Sequence, residues 1–129
     1  ENIREWSERY DLKAVIGVDE ESIILAAKLS ESLCIEHNSL ESVKLTKNKY
    51  LMRSELKKSG LKSPWFKRFS VHKTPKDIFA ELSFPCVLKP TFLSASQGVL
   101  RVNSFEEFGK GCEIFKKIAK SANFKSIFT

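Results

Sequence analysis

Residues 84–102, with the sequence FPCVLKPTFLSASQGVLRV, decide the fold of the second half of the chain. The apolar run at residues 84–88 predicts a buried strand, and the run at residues 99–102 predicts a second one. Eight residues, 91–98, separate Pro90 from the second run, whereas hairpin loops usually have about 2 to 5 residues. We therefore expect an antiparallel pair of strands with a connection longer than the pairing requires.

The connection has the composition of an anion-binding loop. Lys89 closes the first strand, where a lysine can place a point charge against a phosphate group. The loop residues have little bulk or are polar, so that backbone N–H groups can approach an anion closely; they are Ser94, Ala95, Ser96, Gln97 and Gly98. The alternative is a long surface loop beside a solvated lysine. Residue types alone leave both interpretations open.

Helix and strand patterns around this hairpin predict an α+β layer. Residues 65–71 alternate bulky and basic side chains, which is typical of a strand with one solvent-exposed face. Thr74 is expected to begin a helix that runs to about Leu82. Ser104 is expected to cap a last helix, whose apolar stripe consists of Phe105, Phe108, Cys112, Phe115 and Ile118. The order from residue 65 is strand, helix, strand, loop, strand, helix, which favours an antiparallel sheet with flanking helices.

The first part of the chain has a different pattern. Residues 12–18 form an apolar run that predicts a strand, and Asp19 is placed to cap a helix at residues 20–33. A strand followed directly by a helix is half of a βα unit, so this part is expected to be α/β. Further helices are predicted at residues 3–10, 40–44 and 48–59, the last of them closed by Gly60. The predicted class is thus α/β changing to α+β, and we expect the chain to be part of a longer protein.

Charge and composition set limits on function. The 129 residues are enough for one ordinary domain. Residues 1–43 carry ten acids and four bases, a balance of −6, whereas residues 44–129 carry six acids and eighteen bases, a balance of +12. The basic part favours an anionic partner such as nucleic acid, a membrane surface or ATP. No apolar run approaches the roughly 20 residues that a membrane-spanning helix needs.

Cysteine usage and the N-terminal residues predict a cytoplasmic location. The three cysteines are odd in number and far apart, so we interpret them as small buried hydrophobes in a reducing compartment; they are Cys34, Cys86 and Cys112. The N-terminus begins with mixed charges and lacks the layout of a secretory signal.

Three segments, in order, resemble the ATP-grasp superfamily, which includes biotin carboxylase and carbamoyl phosphate synthetase. FPCVLKPTFLSASQGV resembles the family's strand, Lys-Pro and small-residue loop. LTKNKYLMRSELKKSGLKSP is similar to the helix that begins at an Asp/Asn-Lys pair and ends before a proline. VIGVDEESIILAAKLSESL is similar to the end of the domain that precedes the ATP-grasp fold. The resemblance implies that residues 1–45 are the end of this pre-ATP-grasp domain and that residues 46–129 are the first ATP-grasp lobe.

The resemblance also implies roles for individual residues. Lys89 matches the strand lysine that contacts the phosphates and the adenine side of the pocket, and Lys49 matches the helix-start lysine that reaches the phosphates from the opposite side. Residues 94–98 match the flexible loop that closes over the β- and γ-phosphates. Without the family match, Lys49 is better explained as a solvated residue near a helix start. Gln97 stands where many relatives have arginine, which favours an amine or thiol ligase over a biotin carboxylase.

The resemblance implies an ATP-dependent ligase. Such an enzyme activates a carboxylate as an acyl phosphate, which an amine or thiol then attacks. Mg²⁺ ligands are expected downstream of this chain, and we expect the isolated chain to bind ATP weakly and to turn nothing over. Neither the carboxylate nor the nucleophile follows from the sequence, and a homodimer is left open.

Two other functions are compatible with the sequence. A basic single-stranded nucleic-acid-binding module would use the aromatic and basic residues 65–69 (WFKRF). A regulatory module would bind nucleotide without chemistry. Because three ordered segments resemble ATP-grasp enzymes, nucleic acid is not the expected partner.

Overall fold

The computed structural model describes residues 3–70, 72–91 and 93–121. It divides into two compact units, residues 1–48 and residues 49–129. Among the described residues the fold is mixed, with several helices and a small two-stranded antiparallel sheet. No described helix has both the length and the apolar character needed to cross a bilayer.

The first unit contains three helices: α1 (Ile3–Arg9), α2 (Ser22–Ser32) and α3 (Leu40–Thr46). Helices α2 and α3 are in contact. Asp19, predicted to cap α2, lies in the turn just before the helix, whose N-cap position is Glu21. Asp19 Oδ1 accepts hydrogen bonds from the backbone N–H groups of Ser22 (2.7 Å) and Glu21 (2.9 Å). These bonds to the charged form lower the pKa of Asp19. Ser39 caps α3 by accepting from the Ser42 N–H at 3.1 Å.

The strand predicted at residues 12–18 is wrong for this structure. The segment pairs with no strand among the described residues, and Ile16 and Val18 are 80% and 91% exposed. A strand is stabilised by hydrogen bonds to a neighbouring strand, so an apolar run alone does not make one. Gly17 lies against the start of α2, where an added Cβ would be 2.7 Å from Ile23 Cα; a side chain has no space there.

The second unit contains the sheet and its helices. Helix α4 (Lys49–Lys58) is followed by α5 (Pro75–Ile78), a 3₁₀ turn (Phe79–Glu81) and the strands β1 (Cys86–Leu88) and β2 (Leu100–Val102), and helix α6 (Phe105–Ser121) ends the described part. The strands are antiparallel, with Cys86 opposite Val102 and Leu88 opposite Leu100. The antiparallel hairpin predicted from residues 84–102 is therefore confirmed.

Capping explains where the helices of this unit begin and end. Gly60 has φ +75°, and the N–H groups of Gly60 and Leu61 close α4 on the carbonyls of Lys57 and Leu56, at 3.1 and 3.0 Å. Ser104 Oγ accepts from the Glu107 N–H at 3.2 Å at the start of α6. Both boundaries were predicted from the sequence.

The core lies between the sheet and the apolar stripe of α6. It consists of Ile78, Leu88, Val102, Phe108, Cys112 and Phe115, each at most 4% exposed. Gly111 faces β1, where an added Cβ would be 2.7 Å from Leu88 Cδ1, so the glycine allows α6 to lie close to the strand. The predicted stripe of α6 is confirmed.

The strand predicted at residues 65–71 is mostly absent. Phe69 forms a single isolated bridge, and the other described residues of the segment are irregular; Val71 lies outside the described residues. The alternating pattern is present, but ladder partners are lacking along most of its length.

One cysteine interpretation is also wrong: Cys34 is exposed, in a turn with φ +54°. Cys86 is half-buried and Cys112 is buried, and burial raises the pKa of both thiols.

Candidate functional site

A pocket of about 620 Å³ opens along β1 in the second unit. One wall is formed by β1 and the residues on either side of it, and another by the segment around residues 64–69. Helix α4 contributes the side chains of its first two turns. Both lysines that the sequence predicted as phosphate ligands, Lys49 and Lys89, line this pocket.

Lys49 reaches the site because it is the first residue of α4. Its backbone N–H donates to the Thr91 carbonyl at 2.9 Å, and its Nζ donates to the Leu93 carbonyl. Thr91 is buried, with 3% of its surface exposed. These two bonds connect the start of α4 to the first residues of the loop after β1. Lys89 follows β1 directly and is half-buried.

The predicted loop residues do not line this pocket. Residues 94–98 form a compact turn, in which the Gln97 N–H donates to the Ser94 carbonyl at 3.0 Å and the Val99 N–H to the Ser96 carbonyl at 3.3 Å. Ala95 and Ser96 have φ +49° and +58°. Two consecutive residues other than glycine therefore have left-handed backbone in this turn. Phe92, within the predicted loop, lies outside the described residues.

The pocket is strongly cationic. Of the described residues that line it, four are basic and none is acidic; the basic ones are Lys49, Arg53, Lys67 and Lys89. Lys67 forms an ion pair with Glu81, and Arg53 Nη1 lies 3.5 Å from Ser63 Oγ. Such a set favours a highly charged anion over a neutral ligand.

The sequence reasoning missed part of this lining. Arg53 is one helical turn after Lys49, and this i, i+4 spacing was the available signal that it lies on the same face. Trp65 and Phe66 supply aromatic surface, and Trp65 is 57% exposed. Cys86 also lines the pocket. From the sequence, Trp65 and Phe66 were assigned to a strand and Cys86 to the core, because their placement beside α4 depends on tertiary structure.

No metal centre is seen in the part of the chain that the structure describes. Across residues 3–70, 72–91 and 93–121, no three His, Cys, Asp or Glu side chains lie close enough together to hold an ion. Mg²⁺ prefers oxygen ligands, chiefly carboxylates, and none lines the pocket. The described lining therefore does not fit Mg²⁺.

Comparisons with known proteins identify relatives of this chain. It is 28% identical to alanine–anticapsin ligase of Bacillus subtilis (strain 168) over 134 aligned positions, which cover 99% of this chain and 28% of that protein. It is 26% identical to the alanine–anticapsin ligase of Bacillus amyloliquefaciens, with the same coverage. The chain thus spans about 28% of the length of these relatives. No family model matches it.

A solved structure has a similar fold. The crystal structure of L-amino acid ligase from Bacillus licheniformis superposes with a TM-score of 0.64 and 26% sequence identity, covering 88% of this chain and 27% of that one. The alanine–anticapsin ligases and this L-amino acid ligase are ATP-grasp enzymes. The resemblance read from the sequence is thus confirmed: the chain is similar to ligases of the ATP-grasp superfamily.

Proposed function

We propose that this chain is the ATP-binding part of a ligase that activates a carboxylate as an acyl phosphate for attack by an amine or thiol. Residues 1–45 would be the end of the pre-ATP-grasp domain and residues 46–129 the first ATP-grasp lobe. The names of the relatives support a ligase. They also favour an amino acid among the substrates, because both names specify one.

One observation carries the proposal. Lys49 and Lys89, which are distant in the sequence, line the same pocket, and none of the described residues that line it is acidic. ATP carries about four negative charges on its phosphates, so two or more ammonium groups around it replace lost hydration with charge-assisted bonds. The exposed ring of Trp65 is available to the uncharged part of the nucleotide.

Each residue has a separate task in this proposal. Lys49 and Lys89 bind the phosphates and hold the terminal phosphoryl group in position. Residues 94–98 cover the β- and γ-phosphates and exclude water. ATP supplies the phosphoryl group that activates the carboxylate. The contribution of these residues to rate is charge neutralisation and positioning, and the described residues offer no general base in the pocket.

Alanine substitution of the two lysines tests the proposal. K49A and K89A should each weaken ATP binding by about 10-fold or more, since a hydrogen bond to a charged group is worth about 1.5–3 kcal/mol. The measurement is isothermal titration of the 129-residue chain with ATP. K117A is the matched control, because Lys117 is an exposed lysine on α6 and its loss removes the same charge.

The result is decisive in either direction. Unchanged affinity in both K49A and K89A would contradict the assignment of the pocket to ATP. An equal loss in K117A would show that only net charge matters. The chain alone should release no phosphate from ATP, and sustained hydrolysis would contradict the proposal that it is only part of the active site.

A further inference from the structure

A second groove, which the proposed ATP pocket does not account for, lies on the surface of the second unit. It has a volume of about 550 Å³ and is open to solvent. Helix α4 lines it with Tyr50, Ser54, Lys57 and Lys58. Ser54 lies four residues after Tyr50, and the two lysines lie three and four residues after Ser54, which places all four on one helix face. The opposite wall is formed by Phe66, Lys67 and Arg68.

The aromatic residues of the groove hold one cation in place. The Arg68 guanidinium carbon lies 4.4 Å from the centroid of the Tyr50 ring, and Phe66 contacts Tyr50 edge-on with centroids 5.7 Å apart. A guanidinium that stacks on a ring keeps its N–H edges available for hydrogen bonds. Arg68 is therefore ordered for bidentate contact with an oxyanion before any ligand arrives.

The charge of the groove is unbalanced. Among the residues that the structure describes, four basic side chains and no acidic one line it. Lys58 is paired with Glu55 at 3.2 Å and Lys67 with Glu81, but ion pairs exposed to water are weak and are easily exchanged for a stronger anion. Lys57 and Arg68 have no carboxylate partner within the described ranges 3–70, 72–91 and 93–121.

We propose that this groove, which we call the α4 groove, binds a small molecule that carries two or more linked phosphoryl groups. Lys57 and Lys58 lie on one wall and Lys67 and Arg68 on the other, so that two phosphoryl groups can each meet cations from both sides. Arg68 occupies a face of Tyr50, and Phe66 is half-buried. This leaves little open ring surface for stacked bases, which disfavours single-stranded nucleic acid.

The α4 groove and the ATP pocket each have lining residues that the other lacks, and these residues can be substituted separately. Phe66 and Lys67 line both, whereas Lys57 and Arg68 line only the groove and Lys49 and Lys89 only the ATP pocket. The inference does not depend on the ligase activity proposed above. Variants of the non-shared residues can therefore show which site a phosphate ligand occupies.

The test uses inorganic pyrophosphate as the probe, titrated into the 129-residue chain and followed by amide chemical shifts. In the double variant K49A/K89A, pyrophosphate should still bind and should shift the amides of residues 54–58 and 66–68. In the same background, K57Q and R68Q should each weaken binding about 10-fold, because each removes a charge-assisted contact. K117Q, on the surface of α6, is the charge-matched control and should have no such effect.

Further titrations show whether the α4 groove recognises phosphoryl groups alone or a nucleotide. If ADP and pyrophosphate bind equally in the K49A/K89A background, the groove recognises phosphoryl groups alone, whereas tighter binding of ADP adds recognition of a nucleoside; both support the proposal. Loss of pyrophosphate binding in K49A/K89A, or unchanged binding in both K57Q and R68Q, would overturn it. Preference for a single-stranded oligonucleotide over pyrophosphate would also overturn it. K57Q removes no described contact, so it remains informative if R68Q impairs folding.

Discussion

Position 98 requires a glycine for two independent reasons, its backbone conformation and the space around it. Its φ is +68°, in the left-handed region, and an added Cβ would lie 3.0 Å from Pro90 Cγ and 3.3 Å from Phe115 Cε1. Pro90 and Phe115 are both almost completely buried. The glycine therefore joins the end of the loop to the core, and any side chain would strain the backbone and press on atoms that cannot move aside freely.

We predict that G98A lowers the free energy of unfolding by about 1–3 kcal/mol, the sum of a left-handed alanine and a tight contact. G109A is the matched control: Gly109 is in α6 with no atom within 4 Å of an added Cβ, so alanine should stabilise by about 0.5–1 kcal/mol. Urea unfolding followed by circular dichroism measures both. Equal effects of the two substitutions would contradict the role given to Gly98.

At the scale of elements, the start of α6 is stabilised by hydrogen bonds between the Glu107 carboxylate and Asn103. Glu107 Oε2 accepts from the Asn103 backbone N–H at 2.8 Å and from its side-chain amide at 2.9 Å. These hydrogen bonds lower the pKa of Glu107. The carboxylate also lies in the first turn of the helix, where negative charge interacts favourably with the dipole.

The lowered pKa of Glu107 gives a signed prediction. A group whose pKa is depressed in the folded state stabilises the protein above its unfolded pKa, and the stabilisation disappears as pH falls through the folded pKa. E107Q should therefore be less stable than wild type at pH 7, and the difference should shrink as pH falls below the ordinary glutamate value of about 4.3. Urea unfolding at pH 7, 5 and 3 measures this.

E31Q is the control for removing one exposed carboxylate, since Glu31 lies in α2 of the other unit. A difference between wild type and E107Q that stays constant from pH 7 to pH 3 would contradict the role of the Glu107 carboxylate. A difference that grows on acidification would reverse the predicted sign.

Helices and strands differed in how far the sequence predicted them. Both ends of α4 and the start of α6 were predicted, because caps such as Gly60 and Ser104 act locally. Residues 12–18 and 65–71 carry strand-like patterns but lack a ladder along most of their length, and pairing depends on residues far away in the chain. The same limit applies to the site: Lys49 and Lys89 followed from the family resemblance, whereas Arg53 and Trp65 required the tertiary arrangement.

At the scale of the whole molecule, the two units bury very different amounts of apolar surface. Among residues 3–48 of the first unit, the buried ones are Ala26, Ala27 and Ser30, which have small side chains. In the second unit, the core includes Phe108 and Phe115, at 0% and 1% exposed. Since apolar burial is the main favourable term in folding, most of the chain's stability resides in residues 49–121.

We predict that amide hydrogen exchange is slower in β1, β2 and α6 than in α2 by at least 10-fold in protection factor, because opening a large core costs more free energy than opening a small one. Residues 13–18, with no strand partner in the described part, should exchange fastest of all. Exchange of the 129-residue chain followed by mass spectrometry measures this. Equal protection of the two units would contradict the prediction.

The bond between Lys49 Nζ and the Leu93 carbonyl has a further consequence for binding. A free lysine side chain samples many rotamers, and ordering one costs up to about 2 kcal/mol in conformational entropy. In this chain the Leu93 carbonyl already orders the side chain beside the pocket. That entropy is lost when the chain folds and not when a ligand arrives, so the ammonium group is preorganised for an anion.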